Sequence, residues 1–141
     1  MDETKIPILV GSGQITQREP DVERALSPLD LTAAAASKAI EDTGAGDALL
    51  KLIDTMVLIR SFSDTSWRFK CPFGKYSNPP LSLANRLGAE NVKRHIYTHP
   101  GGNMPQWCVN RMFEMIARGE MEIGMIAGGE ALATQKNAQR K

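Results

Sequence analysis

Short apolar runs separated by polar stretches dominate the hydrophobic pattern of this chain. Four runs have the length of a β-strand, at residues 6–13, 53–59, 95–98 and 123–127. The second and fourth are apolar at nearly every position, which is typical of strands that are covered on both faces. The first run ends in Gly-Ser-Gly, a sequence that predicts a turn directly after a buried strand.

Two helices are predicted before the third apolar run. Ser27 and Pro28 have the residue types of an N-cap and a first helical position, and an alanine-rich helix is expected to run from there to Gly44. A shorter helix is expected at residues 81–87, closed by Gly88. Between the two, residues 60–80 (Arg60 to Pro80) are predicted to form a long loop, and loops of this length are often functional.

A third helix is predicted after the strand at residues 95–98. It would begin near Pro105, with Asn103 as its cap, and end at Gly119. Four apolar residues recur at helical spacing along it, namely Val109, Met112, Phe113 and Ile116. Residues 131–141 are predicted to be a polar tail.

The alternation of strands and helices predicts the fold class. An order of βαβαβαβ implies an α/β domain with a mostly parallel sheet and covering helices. The chain has 141 residues, of which 42% are apolar and 23% charged, so it is expected to form one globular domain.

Charge and cysteine content exclude several function classes. The net charge is +1, and the only basic cluster, Lys136, Arg140 and Lys141, is interpreted as a solvated tail, so neither nucleic acid nor a membrane is expected as a partner. The two cysteines, Cys71 and Cys108, lack the spacing of a metal site. No apolar run is long enough for a signal peptide or a membrane span, and we expect a cytoplasmic protein without a bound metal.

The turn that leads into the third predicted helix is the main candidate for chemistry. His99, Gly101, Gly102 and Asn103 follow a strand and precede a helix, the place where α/β proteins usually bind ligands. His99 could exchange protons near neutral pH, and the glycines would let a substrate approach the backbone. The same residues could equally form a plain turn, and the pattern alone leaves both interpretations open.

The other candidates are weaker. The Gly11-Ser12-Gly13 turn lacks the GxGxxG spacing of a dinucleotide site, so a plain turn is expected. Cys108 lies beyond the first turn of the third helix and is expected to be a packed, inert thiol. Cys71 has no base paired with it.

The third helix and fourth strand resemble the thiolase superfamily. Thiolases have a helix that ends in Ile-x-x-Gly, then a strand, and then Ala-Gly-Gly followed by glutamate. The corresponding residues are Ile116-Ala117-Arg118-Gly119, the strand at 123–126, and Ala127-Gly128-Gly129-Glu130. The resemblance covers nearly the whole chain and implies the N-terminal half of a thiolase-like fold.

This chain departs from the family at the nucleophile. Counting back in the same register, the resemblance places the nucleophilic cysteine at Gly102, or at most at Asn103. Neither can form an acyl-thioester. The surrounding residues resemble a thiolase-like branch, related to the sterol-carrier-type thiolases, that lacks this cysteine.

The resemblance also implies a substrate and further parts. A coenzyme A thioester would be the substrate, with no covalently bound cofactor. Family thiolases take a catalytic histidine and a second cysteine from the second half of the fold, which these 141 residues do not contain. We therefore expect an incomplete domain, in a homodimer or with a partner chain that supplies the second half.

Three hypotheses follow for the function. The first is a thiolase-like acyltransferase, with His99, Gly102 and Asn103 at the reaction centre and Gly101, Gly128, Gly129 and Glu130 along the substrate. The second is a non-catalytic acyl-CoA-binding or scaffold module of thiolase ancestry. The third is an unrelated small α/β domain.

Overall fold

The computed structural model describes residues 5–65, 67 and 71–140. Three strands and five α-helices account for nearly half of them. The strands are β1 (Thr55–Leu58), β2 (Arg94–Tyr97) and β3 (Gly124–Ala127). The helices are α1 (Pro28–Asp42), α2 (Asp47–Leu50), α3 (Pro79–Leu87), α4 (Met104–Ala117) and α5 (Leu132–Arg140), and a 3-10 turn spans Phe62–Asp64.

The three strands form one parallel sheet in the order β2-β1-β3. Leu58 at the end of β1 pairs with Tyr97 of β2 and with Ala127 of β3. All three strands therefore reach their carboxyl ends at the same level, which confirms the predicted α/β class with a parallel sheet.

Helices cover both faces of the sheet. Along β1, Met56 and Leu58 pack with α1 and α3, whereas Val57 packs with α4. Met125 and Ile126 of β3 divide between the same two layers. This alternation explains why the strands are apolar at successive positions, since each side chain enters one of two cores.

Local capping sets the start of α1 and the end of α3 as predicted. The Ser27 hydroxyl accepts a hydrogen bond from the Asp30 N–H at 3.2 Å, and Pro28 is the first residue of α1. At the C-terminal end of α3, Gly88 has the left-handed conformation, with φ of 76°. Both features follow from side chains or backbone freedom at single positions, so the sequence was sufficient to predict them.

The predicted cap on α4 is wrong in its chemistry. Asn103 occupies the N-cap position, but its side chain makes no capping hydrogen bond. Its backbone already has near-helical angles, φ −85° and ψ −12°, whereas a capping side chain requires an extended backbone.

The first predicted strand is also wrong. Residues 6–13 belong to no strand, and Ile8 and Leu9 are 71% and 80% exposed. A strand needs a neighbour with free backbone groups, and the described residues provide none beside this segment. The segment instead lies along α1, where a Cβ on Gly13 would be 2.5 Å from the Ala35 carbonyl oxygen.

The end of the chain is more ordered than a polar tail. Residues 132–140 form α5, in which Thr134 and Gln135 are buried. Lys136 and Arg140 are exposed, while Lys141 lies outside the described residues, as do residues 66 and 68–70 of the predicted long loop. No helix in the described part of the chain is long and apolar enough to cross a membrane.

Candidate functional site

The sheet brings two of the predicted turns to the same edge. The Thr98 N–H donates to the Leu58 carbonyl at 3.1 Å, and the Ile59 N–H donates to the Ala127 carbonyl at 2.8 Å, so the pairing continues one residue past each strand. Because β2 and β3 both flank β1, the turns that follow them are separated by two strand spacings, about 10 Å. The candidate turn after β2 and the Gly128 turn after β3 therefore lie on the same side of the molecule.

The turn before α4 is exposed and offers backbone donors. His99, Gly101, Gly102 and Asn103 are all solvent-exposed. The Gly101 carbonyl accepts from the Met104 N–H at 3.1 Å, but the N–H groups of Gly102 and Asn103 donate to no other described residue. Two free donors thus lie at the positive end of the α4 dipole, an arrangement that can bind a carbonyl oxygen or an anion.

Positions 101 and 102 in this turn differ in whether their backbone and surroundings require glycine. Gly101 has φ of 154°, a conformation that side chains rarely adopt. Gly102 has no such angle, and a Cβ atom there would meet nothing within 4 Å. A side chain at position 102 would therefore fit, and its absence is not explained by packing.

Gly128 and Gly129, by contrast, are explained by packing. A Cβ on Gly128 would lie 2.9 Å from the Ile59 Cβ. A Cβ on Gly129 would lie 2.7 Å from the Thr32 Oγ1. The turn after β3 is thus pressed between the end of β1 and α1, and only glycine fits there.

Glu130 links this turn to the segment that follows β1. One carboxylate oxygen of Glu130 accepts a hydrogen bond from the Phe62 N–H at 2.5 Å. Although the residue as a whole is exposed, burial of its carboxyl group raises the pKa of Glu130, and the Phe62 hydrogen bond partly opposes this. The contact positions the start of the long loop against the sheet edge.

A polar cluster beside this edge was not predicted from the sequence. The Arg60 guanidinium stacks over the Tyr97 ring at 4.7 Å, and the Tyr97 hydroxyl donates to Asp64 at 2.9 Å. Lys75 lies 3.5 Å from Asp64. Burial, and then the Asp64 hydrogen bond, raise the pKa of Tyr97 to about 12.

Arg60 retains binding capacity within this cluster. Its Nε atom is buried and has no hydrogen-bond partner among the described residues. Arg60 and Tyr97 lie at the carboxyl ends of neighbouring strands. Because ligands usually bind at the carboxyl ends of parallel strands, their place directly after predicted strands marks both residues as candidates in the sequence.

Two cavities adjoin the edge. A small one of about 70 Å³ lies beside Tyr97 and Asp64 and is also lined by Cys71. A groove of about 660 Å³ runs along β3, with Arg60, Gly128, Gly129 and Glu130 among its lining. None of the four residues His99, Gly101, Gly102 and Asn103 lines either cavity.

Neither cysteine lies at the candidate turn. Cys108 is 2% exposed, which confirms the predicted packed thiol, and burial raises the pKa of this thiol. Cys71 is half-buried in the segment before α3. Within residues 5–65, 67 and 71–140, no group of three histidine, cysteine, aspartate or glutamate side chains could hold a metal ion.

Comparison with known proteins gives a structural relative. No protein-family model and no curated protein matches the chain. Among solved structures it is similar to the crystal structure of a monomeric SCP2-thiolase like protein type 1 from Mycobacterium smegmatis, with 29% identity and a TM-score of 0.73. The match covers 92% of this chain and 24% of that protein. The expected resemblance and fold are confirmed, whereas the homodimer or partner chain stays a prediction.

Proposed function

We propose that this chain, which has a thiolase-like fold, binds an acyl-CoA thioester at the carboxyl edge of its sheet without forming a covalent acyl-enzyme. One observation carries the proposal. Gly102 lies exposed in the turn before α4, where the resemblance places the nucleophilic cysteine, and a side chain would fit there. The position is open to a ligand but has no thiol.

Cys108 cannot replace the missing nucleophile. It is six residues further along and lies in the second turn of α4, about 6 Å of helical rise from Met104. Its side chain is buried in the core with Met112 and Met115, and its raised pKa disfavours the reactive thiolate. Covalent chemistry at this turn therefore has no suitable residue.

The same turn is suited to non-covalent binding. The free N–H groups of Gly102 and Asn103 would donate to the thioester carbonyl oxygen, and Gly101 would let the substrate approach the backbone. His99, exposed after β2, would act as a proton carrier. Gly128, Gly129 and Glu130 would form the opposite wall of the site.

A second candidate function is acyl transfer by a longer or assembled thiolase-like protein. The two free N–H groups favour it, because they resemble an oxyanion-binding site. The family's catalytic histidine and second cysteine would then come from outside these residues, from the second half of the fold or a partner chain.

Calorimetric titration of the chain with acetyl-CoA, combined with mass spectrometry of the protein after incubation, tests the proposal. Binding without a mass increase of one acetyl group is expected. Asn103→Pro, which removes one donor, should weaken binding roughly tenfold, while Asn103→Ala keeps the donor and the affinity. An acetylated protein would favour the second candidate, and the absence of binding at millimolar acetyl-CoA would contradict the proposal.

A further inference from the structure

Arg60 carries a charge that no acid in the described part of the chain neutralises. Its guanidinium forms no ion pair with a described residue, and its buried Nε atom has no hydrogen-bond partner there. The two acids of this edge are engaged elsewhere. Asp64 accepts from the Tyr97 hydroxyl and lies 3.5 Å from Lys75, and Glu130 accepts from a backbone N–H. Because buried donors in folded proteins are nearly always paired, the Arg60 Nε–H favours a ligand atom as its partner.

Arg86 provides a comparison within the same chain. Its guanidinium also stacks over a tyrosine ring, that of Tyr76, at 4.9 Å. It donates to Asp30 at 2.6 Å, to the Ser82 carbonyl at 3.3 Å and to the Tyr76 hydroxyl at 2.8 Å. Stacking and pairing are therefore compatible, and the unpaired state of Arg60 is not a consequence of its stacking.

The Arg60 guanidinium is held in place before any ligand binds. It lies over the Tyr97 ring at 4.7 Å, and Tyr97 is itself fixed by its hydrogen bond to Asp64 at 2.9 Å. The backbone is held as well, since the Arg60 N–H donates to the Thr98 hydroxyl oxygen at 3.2 Å. A planar guanidinium held in this way loses little conformational freedom when it binds a carboxylate through two parallel hydrogen bonds.

Arg60 lies between the two walls of the proposed thioester site. It follows the central strand β1, while the turn before α4 and the Gly128 turn follow the strands on either side. Arg60 lines the groove of about 660 Å³ together with Pro105, the second residue of α4. A group attached to a carbonyl that is held by the N–H groups of Gly102 and Asn103 would therefore extend past Pro105 into this groove, toward Arg60.

Two kinds of anion on a coenzyme A thioester could pair with Arg60. The phosphates are separated from the thioester by the whole pantetheine arm, whereas a carboxylate at the end of a short acyl group is only a few carbon atoms away. The charged residues in the described lining of the groove are Arg60 and Glu130, and most of the remaining lining is apolar. Such surroundings strengthen a hydrogen-bonded ion pair with a small anion, and they favour the acyl carboxylate over a phosphate that stays in water.

We propose that the site takes an acyl-CoA thioester whose acyl group ends in a carboxylate, and that Arg60 binds this carboxylate. The inference rests on the proposed function, because the thioester must be held at the turn before α4. Succinyl-CoA has the required chemistry. Arg60 is thus a specificity-determining residue, which contacts the far end of the acyl group and not the thioester carbon.

Calorimetric titration of the 141-residue chain with succinyl-CoA and butyryl-CoA tests the inference. The two acyl groups have the same number of carbon atoms and differ in their ends, a carboxylate or a methyl group. Succinyl-CoA should bind roughly tenfold more tightly or better, since it gains charge-assisted hydrogen bonds. Arg60→Gln should bring the two affinities within about twofold of each other. Arg86→Gln, which removes the other stacked arginine, is the matched control and should keep the preference.

NMR of the arginine side chains gives a second measurement that needs no variant. Succinyl-CoA should shift the Arg60 Nε–H resonance and slow its exchange with water roughly tenfold or more, since the group gains a partner. Butyryl-CoA should do neither. The Arg86 Nε–H, already bonded to Asp30, is the internal control.

The possible failures are distinguishable. Equal affinity of the unaltered chain for the two thioesters would overturn this inference and leave the proposed function standing. An equal loss of affinity for both thioesters in Arg60→Gln would assign Arg60 to a phosphate of coenzyme A, and would also overturn it. Loss of the preference in Arg86→Gln would show a general effect of charge. The absence of binding of both thioesters at millimolar concentration would overturn the proposed function and this inference with it.

Discussion

Gly129 lies so close to Thr32 that a Cβ atom on the glycine would come within 2.7 Å of the Thr32 Oγ1. Thr32 is 4% exposed, and its hydroxyl donates to the Pro28 carbonyl at 2.8 Å. The hydroxyl cannot turn away without losing this hydrogen bond. The turn after β3 is therefore held against the first turn of α1 by a contact that requires glycine.

Replacing Gly129 should reveal this contact in the stability of the fold. We expect Gly129→Ala to lower the free energy of unfolding by about 1–3 kcal/mol, because the new methyl group overpacks the site. Gly102→Ala, where nothing lies within 4 Å, should change it by less than about 0.5 kcal/mol. Urea denaturation of both variants gives the comparison. Equal effects of the two substitutions would contradict the packing explanation.

A cysteine placed at position 102 should be accessible and reactive. In a Cys71→Ser background, Gly102→Cys would put a thiol beside the positive end of α4, while Cys108 stays buried. We expect the new thiol to be alkylated by iodoacetamide roughly tenfold faster or more than Cys108, as measured by peptide mass spectrometry. Gly102→Ser controls for folding. Similar rates at the two positions would show that position 102 is not open.

The cap of α1 should make stability depend on pH at acidic values. The hydrogen bond from Ser27, and then the one from Arg86 at 2.6 Å, lower the pKa of Asp30 below its ordinary value of 3.8. A lowered pKa stabilises the fold above 3.8, and this contribution is lost as the pH falls through the folded-state pKa.

Ser27→Ala should therefore cost about 1 kcal/mol at neutral pH and less in acid. The exposed Ser37→Ala on the same helix is the matched control and should have little effect at either pH. Thermal unfolding at neutral pH and near pH 3 measures the difference. A cost that is the same at both pH values would contradict the role of the Asp30 pair.

The Tyr97–Asp64 hydrogen bond gives a prediction for alkaline pH. The raised pKa of Tyr97, about 12 against an ordinary value of 10.0, stabilises the fold below pH 10 and is lost as the pH rises toward 12. Tyr97→Phe should cost about 1 kcal/mol at neutral pH. It should also remove part of the stability loss seen between pH 10 and about 12, measured by urea denaturation against wild type. An unchanged alkaline profile would contradict this assignment.

Much of the architecture could be predicted from the sequence. The start of α1 at Ser27 and Pro28 and the end of α3 at Gly88 follow from residues that act on their immediate neighbours. Three of the four apolar runs are the strands of the sheet. Continuous apolar runs indicated a parallel sheet with both faces covered, because each run must supply two cores. The AGGE segment at residues 127–130 indicated the thiolase-like fold.

Other features depended on partners distant in the sequence. The run at residues 6–13 has the composition of a strand, but pairing requires a neighbour that the described residues do not provide. Asn103 has the residue type of a cap, but its backbone angles prevent the hydrogen bond. Gly128 and Gly129 were predicted to line the substrate. Only the tertiary structure shows that Ile59 and Thr32 leave no room for a side chain at these positions.

The difference between features that the sequence predicts and features that only the tertiary structure decides has a physical basis. Helix caps, turns and strand propensity depend on interactions within a few residues, so the amino-acid pattern specifies them. The Arg60–Tyr97 stacking and the packing of Gly129 against Thr32 arise from contacts between segments tens of residues apart. Such contacts form only when the sheet register and the helix layers are in place, and they decide what the candidate site can bind.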